Sequence, residues 1–62
     1  MYRVSVFSLF ENKIIDCELF NNEFKIYNEA KDYFDYIQGY FINCKIELLD
    51  MVTDCTIENI EV

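Results

Sequence analysis

The side chains of this sequence that could do chemistry are mainly carboxylates. Three pairs of acidic residues are close in the sequence: Asp32 with Asp35, Asp16 with Glu18, and Asp50 with Asp54. Paired carboxylates hold divalent cations in some proteins and act as the acid and base of hydrolases in others. These spacings match no specific motif, and charged residues on solvated faces explain them more simply.

The usual components of a catalytic or metal site are missing from the sequence. It has no histidine, the commonest general base, and its single glycine rules out a glycine-rich phosphate loop. Ser5 and Ser8 fall in a predicted strand without a suitable base. The cysteines, Cys17, Cys44 and Cys55, form no CxxC motif, and we interpret them as buried free thiols. We therefore predict a non-enzyme with no catalytic residue, no metal and no cofactor.

The charge of the chain limits the partners it can bind. Twelve acidic and five basic residues give a net charge of −7. Phosphate backbones and acidic membrane surfaces repel such a protein. The sequence also has no apolar run of transmembrane length and no signal-peptide pattern at its start. We expect a cytoplasmic protein that binds neither nucleic acid nor membrane directly.

Two strands and a helix are predicted in the first two thirds of the chain. Residues 2–9 and 14–20 alternate apolar and polar side chains, and the polar segment 10–13 between them predicts a hairpin turn. After a polar break at 21–23, Asn28 is a suitable N-cap for a helix over about 29–41. The residues of its predicted core face, within a sector about 60° wide, are Ala30, Phe34, Ile37 and Phe41.

The last third, residues 43–62, predicts a second hairpin. Ile46 and Leu48 would face inward and Lys45 and Glu47 outward, with the turn at Thr53 and Asp54. Because Ile57 and Ile60 are an odd number of residues apart, the final strand needs a bulge or frayed pairing to turn both inward.

These elements predict one α+β domain over residues 1–62. Its order is ββαββ, with a four-stranded, mostly antiparallel sheet covered on one face by the helix. Strand orders 2-1-3-4 and 2-1-4-3 both satisfy the connections. Pairing within the first hairpin would bring Arg3 near Asp16 or Glu18 on the outer face.

Two surfaces are candidates for binding. On the helix, Tyr33, Tyr36 and Tyr40 recur about 100° from the core face, and they either cover the sheet edge or form an interface. The acidic residues grouped with this stripe are Glu29, Asp32 and Asp35. The apolar residues predicted on the sheet face opposite the helix are Phe7, Leu9, Phe20 and Leu49. They are either scattered exposed side chains or a homodimer interface.

The composition as a whole resembles that of small accessory proteins of bacteriophages and mobile elements of AT-rich hosts. The chain is acidic, rich in Asn, Ile, Tyr and Phe, and free of histidine, tryptophan and proline. Its phrases at 10–15 and 46–50 are generic hairpin sequence. The resemblance implies a viral protein in a bacterial cytoplasm, of the kind that inhibits host enzymes or bacterial immunity, such as an anti-CRISPR protein. It assigns no residue a role.

Two functional hypotheses follow. In the first, the protein is a binding inhibitor that occupies a basic surface on a nucleic-acid-handling or defence protein, its carboxylates imitating the phosphates of DNA. In the second, it is a structural or regulatory homodimer without inhibitory activity.

Overall fold

The observed fold is a four-stranded sheet with one helix. A computed structural model describes the backbone of residues 1–10 and 13–62 and the side chains of residues 1–9 and 18–62. The elements are β1 (Tyr2–Phe10), β2 (Lys13–Phe24), α1 (Tyr27–Ile37), β3 (Cys44–Asp50) and β4 (Cys55–Glu61). The sheet order is β2-β1-β3-β4, and each neighbouring pair is antiparallel. The predicted α+β fold is confirmed, and 2-1-3-4 is the correct order of the two.

The core lies between α1 and the two central strands. Its buried residues are Val4, Val6, Ala30, Phe34, Ile37, Cys44, Ile46 and Leu48. The strand residues are two apart and the helix residues three or four apart, as the pleat and the helical turn require. The predicted inward residues of β3 and three of the four predicted core residues of the helix are therefore confirmed. Phe41 lies beyond the end of α1, half-buried against this core.

Strand β2 is longer than its sequence pattern predicts. The polar residues 21–23 predict that the second strand ends at residue 20, but β2 continues through them to Phe24. The start of β1 supplies their pairing partners, so that Arg3 is opposite Glu23 rather than near Asp16 or Glu18. Polar residues are tolerated here because β2 is an edge strand whose side chains meet water. Glu11 and Asn12 of the predicted turn lie outside the described residues.

The helix begins and ends earlier than predicted. Its N-cap is Ile26, in an extended conformation, and not Asn28; none of the described side chains caps this end. Because β2 runs to Phe24, only two residues separate strand and helix, and the first turn closes with the Ala30 N–H donating to the Ile26 carbonyl at 3.2 Å. At the other end, the Tyr40 N–H donates to the Ile37 carbonyl at 2.9 Å, a tighter turn that ends the α-helix four residues before Phe41.

The second hairpin has the predicted turn and the predicted bulge. A turn at residues 51–54 joins β3 to β4, with Asp54 at a positive φ of 57°. Leu48 is opposite Glu58 while Leu49 is opposite Thr56, so Ile57 is the extra residue of a bulge.

The cysteines differ in burial. Cys44 is buried in the core as a free thiol, but Cys55 is an exposed free thiol at the start of β4, so the prediction of burial is wrong for it. Cys55 is the first residue of an edge strand, directly after the turn, and edge positions are commonly exposed. The side chain of Cys17 lies outside the described ones.

Candidate partner-binding surface

Aromatic rings fill the angle between α1 and edge strand β2. This surface, here called the aromatic flank, consists of Phe20, Phe24, Tyr33, Tyr36, Tyr40 and Phe41. Successive ring centroids lie 4.9 to 6.5 Å apart, in the range of favourable aromatic contacts. A continuous aromatic surface therefore runs from the sheet edge to the end of the helix.

The three tyrosines predicted to act together divide into two groups. Tyr33 is half-buried, with its ring 5.2 Å from that of Phe24 and 6.4 Å from that of Phe20. It covers the sheet edge and contributes to folding. Tyr36 and Tyr40 lie farther out, 61% and 67% exposed. Only these two have the exposure that an interface anchor needs.

Tyr36 and Tyr40 form an ordered pair. Their ring centroids are 4.9 Å apart and their hydroxyl oxygens 2.8 Å apart, a hydrogen bond in which either hydroxyl is the donor. This hydrogen bond is the main cause that raises the pKa of Tyr36, with smaller contributions from desolvation and from Tyr33. The pair presents two rings and two polar tips at one place on the surface.

The acidic residues predicted beside the stripe also separate. Glu29 and Asp32 precede Tyr36 by seven and four residues, so they lie on the same side of the helix, and both are exposed. Asp35 lies on the other side, where its Oδ1 is 3.2 Å from the Lys31 Nζ. Asp35 therefore does not share the side of the helix that carries the tyrosines, because one residue rotates the side chain by about 100°, and its role in steering a partner stays a prediction.

The side of α1 that faces β4 is held by charges instead of rings. Its three residues, Lys31, Asp35 and Glu58, are called the ion-pair flank. The Lys31 Nζ lies 2.7 Å from the Glu58 Oε2 and also pairs with Asp35. The hydrogen bond to Glu58 is the largest cause that raises the pKa of Lys31. Positive and negative groups on this flank are satisfied within the chain.

The sheet face opposite α1, called the open face, is less apolar than predicted. Phe7, Leu9 and Leu49 lie there and are half-buried. Phe20 is on the helix side, opposite Val6 and among the aromatic flank, so its assignment to the open face is wrong. The register shift after Val6 causes this, since it moves Phe20 into phase with the core. The homodimer interface stays a prediction with three of its four residues in place.

Polar side chains cover much of the open face. The Lys45 Nζ lies 3.2 Å from the Glu47 Oε1 on this side of β3. Ser5, between Asn21 and Glu47 across the strands, is only 4% exposed. Long neighbouring side chains therefore shield the strands on this face.

The structure places some of the acidic residues that the sequence offers as candidate chemical groups. No three His, Cys, Asp or Glu side chains in the described part of the chain come together as metal ligands. The Asp50 Oδ1 accepts the Val52 N–H at 2.9 Å, so this carboxylate serves the β3–β4 turn. The pair Asp16 and Glu18 cannot be placed, because the side chain of Asp16 lies outside the described ones.

Phe24 belongs to the aromatic flank but is not among the residues predicted from the sequence. Phe20 and Phe24 are four residues apart, a spacing that puts both on one side of a strand. The three residues between them are all polar, so the alternation that indicates a strand is absent.

Among the described residues, no helix combines the length and the apolar character that crossing a membrane requires. Comparisons of the chain with protein-family models, with curated proteins and with solved structures find no match.

Proposed function

We propose that this protein is a non-catalytic inhibitor that binds a basic surface of a nucleic-acid-handling or defence protein. The observation that carries the proposal is the exposed, ordered pair of Tyr36 and Tyr40 at the outer end of the aromatic flank. Tyrosine is enriched at binding hot spots, where its ring fills a pocket and its hydroxyl finds a polar partner.

The restricted conformation of the Tyr36 and Tyr40 side chains favours binding. Ring contact and the hydroxyl hydrogen bond already restrict both side chains, and the Tyr40 backbone is held by its bond to Ile37. Side chains that are ordered before association lose less entropy when they are buried. The pair is therefore a preformed anchor.

The charge of the molecule favours a basic partner. The net charge is −7, and two of the five basic residues, Lys31 and Lys45, are engaged in ion pairs. Glu29 and Asp32 carry exposed charge on the same side of α1 as Tyr36. Complementary charge accelerates encounter and selects against acidic partners. A groove that binds a phosphate backbone is basic, and its positive charge is complementary to this acidic surface.

The proposal is tested by affinity capture from a bacterial lysate with quantitative mass spectrometry. Three baits are compared: the natural protein, a Tyr36→Ser/Tyr40→Ser variant, and a Val52→Ser control. Val52 is an exposed apolar residue of the β3–β4 turn and is not part of the aromatic flank. We expect a protein with a basic nucleic-acid-binding surface that is retained by the natural and control baits and lost from the tyrosine variant.

Binding of the recovered protein to its nucleic acid is then measured with and without the natural protein. Inhibition supports the proposal. Equal recovery of every captured protein by all three baits, or capture of acidic proteins alone, contradicts it.

A further inference from the structure

The outer edge of β2 is a continuous, exposed stretch of strand. Residues 20–24 pair in unbroken register with residues 2–6 of β1, and the register shifts of β2 fall before Phe20. No described strand pairs with the other side of β2, and the side chains of residues 18–23 are all exposed. In such an edge strand, every second residue turns its backbone N–H and C=O outward without a strand partner.

The two sides of this edge differ in chemistry. On the helix side, Phe20 and Phe24 lie 6.4 and 5.2 Å from Tyr33 and continue into the aromatic flank. On the open-face side are the carboxylates of Glu18 and Glu23, in line with Phe7 and Arg3 of β1. The ion pairs among the described residues lie elsewhere, on α1, β3 and β4. A strand added here would meet rings on one side and acidic groups on the other.

We propose that β2 accepts an extended segment of the partner protein as a fifth strand of the sheet. Main-chain hydrogen bonds along residues 20–24 hold this segment, its apolar side chains lie on Phe20 and Phe24, and its alternate, basic side chains meet Glu23. Glu18, beyond the register shift, adds negative charge at the end of this stretch. This inference rests on the proposed function and specifies how the basic partner docks. The occupant is a segment in which basic and apolar residues alternate.

Charge argues against a second copy of this chain as the occupant. Antiparallel pairing of two β2 edges would bring Glu18 and Glu23 of two molecules, each of net charge −7, close together. Like charges on neighbouring strands destabilise a sheet. A basic segment gains attraction at the same positions.

The other sheet edge is less suited to this role. Register shifts interrupt both edge strands, before Phe20 in β2 and at Ile57 in β4, so the two edges differ mainly in their side chains. On the helix side of β4, Glu58 is already paired with Lys31, where β2 instead presents aromatic rings. Protection of β4 by a bound segment is therefore an outcome that contradicts the proposal.

A peptide titration tests the inference directly. The probe is a short peptide of alternating lysine and valine, added to the full chain at about 1 mM, and the readout is amide hydrogen exchange resolved by NMR. We expect exchange within residues 20–24 to slow about tenfold or more. Two control peptides, one alternating glutamate and valine and one with the lysines and valines in separate blocks, should give no protection there.

Matched charge reversals locate the acidic contact. Glu23→Lys on β2 and Glu61→Lys on β4 make the same change in charge, and both residues are exposed and opposite a basic residue of the neighbouring strand. We expect Glu23→Lys to weaken binding of the lysine–valine peptide about fivefold or more and Glu61→Lys to change it less than about twofold. NMR spectra of both variants establish that they are folded.

Three results overturn the inference: unchanged exchange at residues 20–24, protection of β4 instead, or equal weakening by the two charge reversals. The first two use the natural sequence and need no variant. If they occur while the Tyr36→Ser/Tyr40→Ser bait still loses its partner, the added strand is wrong and the proposed function stands. If the peptide protects β2 but the tyrosine variant keeps every partner, the proposed function is wrong at its anchor residues.

Discussion

The side chains on the two flanks of α1 make different kinds of contact. On the ion-pair flank, Lys31 lies between two carboxylates, 2.7 Å from Glu58 and 3.2 Å from Asp35. On the aromatic flank, Tyr36 and Tyr40 bond only to each other among the described residues and keep most of their surface in water. Exposed ion pairs contribute little to stability, whereas exposed rings retain apolar area that a partner can bury.

Under the proposed function, this difference separates the residues for folding from the residues for binding on one short helix. Ala30, Phe34 and Ile37 hold α1 on the sheet, and the ion-pair flank ties it to β4. The exposed rings of the aromatic flank contribute little to holding the helix on the sheet or to its attachment to β4. A chain of 62 residues can thus expose aromatic rings to a partner while other residues form its core.

The largest effect is expected in the core between the flanks. Phe34 is 3% exposed, and Phe34→Ala should lower the free energy of unfolding by about 3–5 kcal/mol, because the lost ring leaves a cavity. Urea denaturation followed by circular dichroism measures this change. An unchanged denaturation midpoint would show that the helix does not depend on this contact.

A strong effect on binding with little effect on folding is expected at Tyr36. Tyr36→Ala should weaken partner binding about 30-fold, measured by calorimetry, and shift Tm by less than about 2 °C. Val52→Ala, at another exposed apolar position, should leave both quantities unchanged. A Tyr36→Ala variant that binds normally, or one that unfolds, contradicts the division between the two flanks.

A smaller effect is expected on the ion-pair flank. Lys31→Met removes both ion pairs and keeps the aliphatic stem that lies along α1. We expect a small decrease in Tm at low salt that disappears at about 1 M salt, where the Debye length is about 3 Å. Partner affinity should fall no further than in the Val52 control. A loss of affinity like that of Tyr36→Ala would move the interface to this flank.

The smallest effect concerns high pH. The hydrogen bond to Tyr40 raises the pKa of Tyr36 from its ordinary value of 10.0. A raised pKa in the folded state stabilises the protein below pH 10, and this contribution is lost as the pH rises through the folded-state pKa. A pH titration followed at the Tyr36 ring by NMR should therefore give a raised pKa, which Tyr40→Phe lowers. A Tyr36 pKa that is the same in both proteins contradicts the hydrogen bond.

The fold class follows from local patterns in the sequence. Val4 with Val6 and Ile46 with Leu48 have the period of two that places each pair on one side of a strand. The odd spacing of Ile57 and Ile60 predicts a bulge or frayed pairing, and the structure has the bulge. Strand order does not follow, because both candidate orders satisfy the same hairpins and the same helical connection.

Errors in the sequence analysis arise where tertiary context outweighs local preference. Asn28 is a better N-cap than Ile26 by residue type, but the length of β2 fixes where the helix begins. That same length decides which tyrosine is covered, since Tyr33 packs on Phe24 only because β2 reaches it. At 100° per residue Tyr33 lies about 60° nearer the core face than Tyr36, so the helical angle indicates which ring is more covered but not that Phe24 covers it.

The central claim is that the partner binds the aromatic flank, and site-specific photo-crosslinking tests it most directly. A benzophenone amino acid is placed at Tyr40, or at Asp35 on the ion-pair flank, in otherwise natural protein. Both positions are exposed, and Tyr36 is retained in each variant. After irradiation with the captured partner, we expect a crosslinked product from position 40 and none from position 35. Equal products from the two positions, or a product from position 35 alone, would contradict the account.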